Sequence, residues 1–194
     1  MGAGKSTVGS RLARELDWVF VDLDEEIVRA EGKSIAAIFD SASDSDSTHV
    51  DEAANDSTMG EARFREIENV ALASNLKRSD IVLALGGGAI ETAANRQLLL
   101  GDPETLLLYL EAPLDVMIER CEDQHREQAG VARRPVLEKK AEIAARFLRR
   151  KPLYESSHWT IGTAELGLDE IVRRIVLRWK EYILEPSEQT TVDR

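Results

Sequence analysis

The chain has 194 residues, of which 43% are hydrophobic and 31% are charged, and its formal net charge is −11. These values are typical of one folded domain and exclude a fibrous or wholly disordered protein. The negative charge argues against nonspecific binding to nucleic acid, because phosphates would be repelled. A single cysteine excludes an intrachain disulfide. Neither a membrane-length apolar run nor a signal-peptide pattern is present, so we expect a cytoplasmic protein with no membrane partner.

The first seven residues, MGAGKST, match the second half of the nucleotide-binding pattern Gly-x-x-x-x-Gly-Lys-Ser/Thr. Gly2 and Gly4 allow the backbone amides to turn inward around an anion. Lys5 supplies a charge for phosphate oxygens, and Ser6 has a hydroxyl suited to Mg²⁺ at a helix N-terminus. The alternative is a helix-start turn made of small residues.

Strand patterns alternate with helical patterns along the rest of the chain, which favours a parallel sheet with helices on both faces. The predicted strands are WVFVD, IVLAL, TLLLYLEA and WTI, at residues 18–22, 81–85, 105–112 and 159–161. Helical spacing is predicted over residues 6–16, 23–31, 34–39, 60–77, 113–121 and 168–184.

Residues 40–59 interrupt this pattern with Ser, Asp and Asn, and they contain no lysine or arginine. Such side chains compete for backbone hydrogen bonds and offer little apolar surface to a core. We predict a disordered acidic insertion there and a flexible tail at residues 185–194. A plain solvated loop and a segment that tunes substrate access or binds a partner both remain open for the insertion.

A pair of carboxylates, Asp22 and Asp24, follows the first predicted strand. Ligands of open parallel sheets bind at the carboxyl ends of strands, so these groups are candidates for holding a metal-bound water and a reacting hydroxyl. A helix cap with a solvated charge is the alternative. Three glycines, Gly86, Gly87 and Gly88, follow a later strand and predict a close approach of backbone to substrate, or else a plain tight turn.

Six motifs together resemble the shikimate kinases: the glycine loop, VDLD at 21–24, GEARFREIE at 60–68, LGGGA at 85–89, RRPVL at 133–137 and RKPLY at 150–154. The resemblance implies an α/β, three-layer P-loop fold of the nucleoside-monophosphate-kinase type with a five-stranded parallel sheet, formed here by a single domain over residues 1–184. It also implies a monomer that uses ATP and Mg²⁺ to phosphorylate the 3-hydroxyl of shikimate in aromatic amino acid biosynthesis.

The resemblance implies roles for individual residues. ATP would be bound by Gly2, Ala3, Gly4, Lys5, Ser6, Thr7, Arg126 and Arg134, the two arginines lying in a mobile lid. Shikimate would be bound by Asp24, Arg65, Gly86, Gly87, Gly88 and Arg150, with the arginines on its carboxylate. Ser6 and Asp22 would hold Mg²⁺, while Lys5, Asp24 and Arg134 would be catalytic. Each arginine alone is typical of a solvated surface charge.

The family's sheet has a central strand before the phosphate loop, and this sequence shows none there. We expect Met1 to be an internal methionine of the loop and the natural protein to begin roughly ten residues earlier. A rearranged sheet and a degenerate relative with weak or no catalysis are alternatives. Another small-molecule kinase, such as a gluconate kinase, is a further alternative for the function.

Overall fold

The computed structural model describes residues 2–40, 52–120 and 136–184, with the side chains of 52–58 and 136–140 left undescribed. The helices are α1 (Lys5–Leu16), α2 (Leu23–Glu31), α3 (Ile35–Asp40), α4 (Glu52–Asn75), α5 (Ala93–Gly101), α6 (residues 114–120), α7 (Val136–Tyr154) and α8 (Leu168–Leu184). The strands are β1 (Val19–Asp22), β2 (Ile81–Ala84), β3 (Leu108–Glu111) and β4 (Trp159–Gly162), and a 3₁₀ helix spans Ala89–Glu91.

The four strands of the described residues form two parallel pairs, β1 with β2 and β3 with β4. Val19 is opposite Ile81 in the first pair, and Leu108 is opposite Trp159 in the second. The predicted strand positions and the parallel direction are therefore confirmed. The division into two pairs was not predicted from the sequence.

Helices cover the strands on both faces. Consecutive residues of one strand point to opposite faces, so neighbouring side chains pack into different cores. Val82 packs in a core with α1 and α8, whereas Leu83 packs in a second core with α2, α3, α4 and α5. The buried residues of the first core are Val8, Leu12, Ile161, Ile171, Val172 and Ile175. Those of the second are Leu23, Ile27, Ile38, Phe64, Leu72 and Leu99. This arrangement is a three-layer α/β architecture.

Helix α2 has clear chemical signals at both ends. At its start the Asp22 carboxylate accepts a hydrogen bond from the amide of Asp24, which satisfies one free donor of the first turn. At its end Gly32 has a φ of 64°, the left-handed conformation that glycine adopts without a steric penalty. The helix therefore begins immediately after β1 and ends at the predicted glycine.

The predicted start of α4 at Gly60 was wrong, because the helix begins at Glu52 and includes the second part of the predicted insertion. Ala53, Ala54 and other good helix formers in this stretch favour the extension. Within the predicted part of α4, Phe64 stacks on Phe39 of α3 with ring centroids 5.0 Å apart. The remaining residues of the insertion, 41–51, and the tail at 185–194 lie outside the described residues.

Two tryptophans form a contact between the residue before β1 and helix α8. The rings of Trp18 and Trp179 meet edge to face, with centroids 5.1 Å apart and planes at 85°. Trp159 of β4 packs against the same core as α1 and α8. All three tryptophans of the sequence therefore lie on the α1–α8 side of the strands.

Replacing Leu72 with Ala is expected to lower the free energy of unfolding by about 2–5 kcal/mol, because the side chain is fully buried and leaves a cavity. Urea denaturation followed by circular dichroism measures this loss. Val70 lies on the same helix with 70% of its surface exposed, and its replacement by Ala is expected to cost about 0.5 kcal/mol or less. Equal losses in the two variants would contradict the assigned core.

No helix among the described ranges has both the length and the apolar character needed to cross a membrane.

Candidate active site

The phosphate loop, residues 2–7, bends through two glycines into α1. Gly2 and Gly4 have φ values of 71° and 86°, which side chains with a Cβ rarely adopt. A Cβ on Gly2 would also overlap the Met117 carbonyl group of α6. The helix begins at Lys5, so its first amides are free to bind an anion. The predicted loop geometry is thus present in the described residues.

The end of β1 lies beside this loop. The Ser6 hydroxyl donates a hydrogen bond to Asp22 Oδ2 at 3.2 Å, while Asp22 Oδ1 accepts the Asp24 amide at 3.1 Å. Asp22 therefore acts as both the cap of α2 and the partner of the loop hydroxyl. The helix-cap interpretation is confirmed for Asp22, and the metal-site interpretation stays a prediction.

Asp24 occupies an electrostatically unusual position. Burial raises the pKa of its carboxyl group, and the neighbouring charge of Asp22 raises it further. The charges of Lys5 and Arg65 act in the opposite direction. The charges that act on this carboxylate belong to the end of β1, the phosphate loop and helix α4.

The glycine turn, residues 86–88, is the centre of the site. A Cβ on Gly86 would lie 2.7 Å from Asp24 Oδ1, and a Cβ on Gly88 would overlap the Arg65 guanidinium. At Gly87 a Cβ would lie 3.5 Å from Arg150 Nη1. Gly86 and Gly88 thus permit close approaches by Asp24 and Arg65, whereas Arg150 lies at ordinary contact distance from Gly87. The interpretation as a plain tight turn does not account for the two close approaches.

Arg65 and Arg150, the arginine pair, reach the turn from helices α4 and α7. Arg65 Nη1 donates to Glu68 Oε2, three residues later on α4, at 2.8 Å. Only 1% of the Glu68 side chain is exposed, and burial raises its pKa even though Arg65 acts to lower it. Arg150 Nη2 donates to Glu91 Oε2 at 2.7 Å. Both arginines are mostly buried, with 17% and 16% of their side chains exposed, so neither is a solvated surface charge.

Aromatic contacts position Arg150. Tyr154, one turn later on α7, donates its hydroxyl hydrogen bond to the Gly87 carbonyl at 2.6 Å. Its ring stacks on Tyr109 of β3 with centroids 5.3 Å apart. The buried Nε of Arg150 has no hydrogen-bond partner among the described residues. The final turn of α7 is therefore anchored to the glycine turn, and the Arg150 guanidinium retains hydrogen-bonding capacity for a ligand.

The family model for shikimate kinase matches residues 1–51 and 44–180 of this chain. The chain belongs to the shikimate kinase family.

Individual relatives agree with this assignment. A shikimate kinase from Salinibacter ruber is 38% identical over 181 residues, which cover 91% of this chain and 79% of that protein. One from Burkholderia pseudomallei is 35% identical over 183 residues, covering 92% and 85%. The structure of shikimate kinase from Acinetobacter baumannii in complex with shikimate superimposes with a TM-score of 0.72 at 32% identity, covering 95% of this chain and 91% of that one.

Two residues that sequence reasoning missed are central to this shikimate kinase site. The Glu91 carboxylate contacts three arginines, and the side chain of Asn95 is fully buried. Asn95 Nδ2 donates to the Ala89 carbonyl at 2.8 Å and to Glu68 Oε2 at 3.5 Å. Neither residue belongs to a recognisable short motif, and an acid after a glycine turn is also typical of an ordinary helix start.

A third missed residue, Arg120, ties the phosphate loop to the end of β4. Its guanidinium donates to the Thr163 carbonyl at 2.9 Å, to the Thr163 hydroxyl at 3.3 Å and to the Gly2 carbonyl at 3.4 Å. The predicted lid arginines, Arg126 and Arg134, lie outside the described residues. Their roles stay predictions from the family resemblance.

Replacing Gly86 with Ala is expected to lower kcat about tenfold in this shikimate kinase family member, because the new methyl group displaces the Asp24 carboxylate. Steady-state kinetics with ATP and shikimate measure the change. Gly101→Ala is the matched control, since Gly101 lies at the exposed end of α5 and a methyl group there would meet no atom within 4 Å. Equal activity of the two variants would contradict the assigned contact.

Proposed function

We propose that this chain transfers the γ-phosphoryl group of ATP to a hydroxyl group of shikimate. The observation that carries the proposal is the glycine turn, which collects Asp24 and the arginine pair at the carboxyl end of β2. Lys5 of the phosphate loop acts electrostatically on the same Asp24. A phosphate-binding loop, a candidate base and two guanidinium groups are the parts that phosphoryl transfer to a hydroxy acid requires.

The phosphate loop would bind the triphosphate. Its glycines direct free amides at the start of α1 towards the anion, and these donors need no rearrangement when charge develops. Lys5 would contact the β- and γ-phosphate oxygens, and Gly2, Ala3, Gly4, Ser6 and Thr7 complete the loop.

The oxygen atoms of Ser6 and Asp22 fit a Mg²⁺ site. The hydroxyl and the carboxylate are 3.2 Å apart beside the helix N-terminus, and both are the hard ligands that this ion prefers. No cluster of three metal-ligating His, Cys, Asp or Glu side chains occurs in the ranges described, which agrees with an ion held mainly by phosphate and water. When bound, Mg²⁺ would neutralise phosphate charge.

Asp24 would accept the hydrogen bond of the attacking hydroxyl and then its proton. Burial raises its pKa, so this carboxylate holds a proton more tightly than an ordinary aspartate does. The hydroxyl oxygen forms the new bond to the γ-phosphorus as the bond to the β–γ bridging oxygen breaks, and ADP carries away that electron pair.

The arginine pair would hold the substrate carboxylate. A guanidinium group presents two parallel donors that match the two oxygens of a carboxylate. Arg65 and Arg150 approach the same turn, Arg65 at Gly88 and Arg150 at Gly87, which supports a carboxylate site between them. Binding the ring at its carboxylate would leave a hydroxyl directed towards Asp24.

Arg134 and Arg126 would complete the site from the lid. The family resemblance supports this part of the proposal, because a mobile segment carrying cations can exclude water and neutralise the transferring phosphoryl group. Every group named above belongs to one chain, so a monomer suffices. We also place the enzyme in the cytoplasm, where ATP is available.

A coupled assay of ADP release over a panel of hydroxy acids tests the function. We expect phosphorylation of shikimate and none of gluconate. The Lys5→Met variant, purified in the same way, identifies any contaminating kinase. Activity confined to gluconate, or absence of transfer to shikimate, would contradict the proposal.

A fifth strand between β2 and β3 is also part of the proposal. Among the described residues β2 pairs only with β1, and β3 pairs only with β4. The same helices, α1 and α8, cover Val82 of β2 and Leu108 of β3. A strand supplied from outside the described residues would pair with both open edges. Urea denaturation of the chain beside a version with an added N-terminal strand tests this, and equal stability would contradict it.

A further inference from the structure

Glu91 is an internal carboxylate bound to the arginine pair. It ends the 3₁₀ helix that follows the glycine turn, and 19% of its side chain is exposed. Oε2 lies 2.7 Å from Arg150 Nη2 and 3.5 Å from Arg65 Nη2, while Oε1 lies 2.9 Å from Arg149 Nη2. Burial acts to raise the pKa of Glu91, but hydrogen bonds and charges from Arg150 and Arg149 outweigh it, and the pKa is lowered.

These contacts are the contacts that a bound carboxylic acid would make. One Glu91 oxygen bridges Arg65 and Arg150, the two groups assigned above to the substrate carboxylate. Two carboxylates cannot occupy the same donor atoms, and like charges at that distance repel each other. A substrate that binds this pair must therefore displace Glu91 or share its donors.

Glu68, the other carboxylate on Arg65, is not available for such an exchange. It is almost fully buried and is held by Asn95 as well as by Arg65. Glu91 is more exposed, and it has a second partner in Arg149, whose side chain is 70% exposed. When Glu91 leaves Arg150 it can keep its contact with Arg149, so displacement does not leave an unpaired buried charge.

We propose that Glu91 occupies the carboxylate position of the ligand-free enzyme, that the substrate carboxylate displaces it, and that Arg149 retains it afterwards. The inference rests on the proposed function. Glu91 neutralises two mostly buried guanidinium groups in the absence of ligand. It also sets specificity, because a neutral polyol ring offers no charge that can compete for the arginines, whereas a ring acid does.

The competition predicts that removing the Glu91 charge tightens the binding of ring acids. We expect Glu91→Gln to lower the dissociation constant of shikimate about tenfold. The substrate carboxylate then no longer has to replace a charge-assisted hydrogen bond between Glu91 and Arg150. The KM for shikimate should fall in parallel. The kcat should stay within about twofold, since Glu91 touches no reacting atom in the proposal.

Isothermal titration calorimetry without nucleotide measures the effect, with shikimate and its methyl ester as the two probes. The ester keeps the ring hydroxyls but has no charge, so Glu91→Gln should leave its binding unchanged. Glu66→Gln is the matched control because it removes the same charge from an exposed position on α4. Circular dichroism confirms folding, and Glu91→Asp, whose shorter side chain retracts from Arg150, provides a second variant.

Each outcome decides the inference. Tighter shikimate binding in Glu91→Gln and Glu91→Asp, with the ester and Glu66→Gln unaffected, supports it. Unchanged or weaker shikimate binding, or an equal gain for the ester, overturns it and leaves the proposed function intact if the parent protein binds shikimate. Absence of shikimate binding in the parent and all variants overturns the proposed function and this inference together.

Discussion

Replacing Asp24 with Asn is expected to lower kcat about a thousandfold, because the amide has nearly the same shape but cannot accept the proton of the attacking hydroxyl. Asp24 is the carboxylate that lies against Gly86 and within reach of the Lys5 charge. The KM for ATP should change little, since the phosphate loop is not altered. Steady-state kinetics with both substrates separate the two parameters.

Glu25→Gln is the matched control for Asp24→Asn. It removes one negative charge from the adjacent, exposed position of α2 and should keep kcat within about twofold of the parent value. A kcat for Asp24→Asn within tenfold of the parent would contradict the role of this carboxylate as the proton acceptor.

The raised pKa of Asp24 also has a consequence for how the free energy of unfolding varies with pH. Burial raises its pKa in the folded state, so the folded chain holds this proton more tightly than the unfolded chain does. The contribution of Asp24 to the free energy of unfolding is therefore greatest at acidic pH. It falls as pH rises from the ordinary aspartate pKa through the raised one. Urea denaturation across this window should show that Asp24→Asn lacks this decline.

Replacing Arg150 with Lys is expected to raise the KM for shikimate about a hundredfold while changing kcat much less, because an ammonium group cannot donate two parallel hydrogen bonds to a carboxylate. The Arg150 guanidinium is mostly buried beside Gly87, and its Nε has no hydrogen-bond partner within the part of the chain that the structure describes. Measuring KM for shikimate at saturating ATP gives the effect.

Arg146→Lys is the matched control for Arg150→Lys, since Arg146 lies one turn earlier on α7 and is exposed. It should leave the KM for shikimate within about twofold of the parent value. A similar KM in the two variants would mean that the guanidinium at position 150 does not bind the substrate.

Much of the secondary structure was predictable because it depends on local signals. The strand positions follow from short runs of β-branched and large apolar residues, and α2 ends at Gly32 for a conformational reason visible in the sequence. Helix α8 was predicted over Leu168–Leu184 because its apolar residues recur at helical spacing. Helix α5 has a weaker pattern and was missed.

Other features depend on contacts between distant segments, which local patterns do not report. Helix α4 packs against α3 through Phe64 and Phe39, and the division of the strands into two pairs depends on pairing between distant segments. Glu91 and Asn95 acquire their importance only when α4, α7 and the glycine turn meet. The residues adjacent in sequence to a polar or charged side chain do not indicate which distant side chains it will contact.

The candidate site was predicted from motifs whose chemistry is explicit in their residue types. The charges of Lys5 and Arg65 both act on the Asp24 carboxylate. The neutralisation of Arg65 and Arg150 by a carboxylate of the protein was not predicted. The resemblance assigns these arginines to the substrate but does not say which group neutralises them when no substrate is bound. The contacts of Glu91 with Arg65 and Arg150 supply that neutralisation.

The positions of the tryptophans give the molecule an intrinsic fluorescent probe of one layer. Trp18, Trp159 and Trp179 all lie on the α1–α8 side, whereas the aromatic rings at the glycine turn are those of tyrosine and phenylalanine. Tryptophan emission therefore monitors the separation of α8 from the strands. It is little affected by whether Glu91 or a substrate is bound to Arg65 and Arg150. The same optical signal can compare the denaturation of every variant above, with or without substrate.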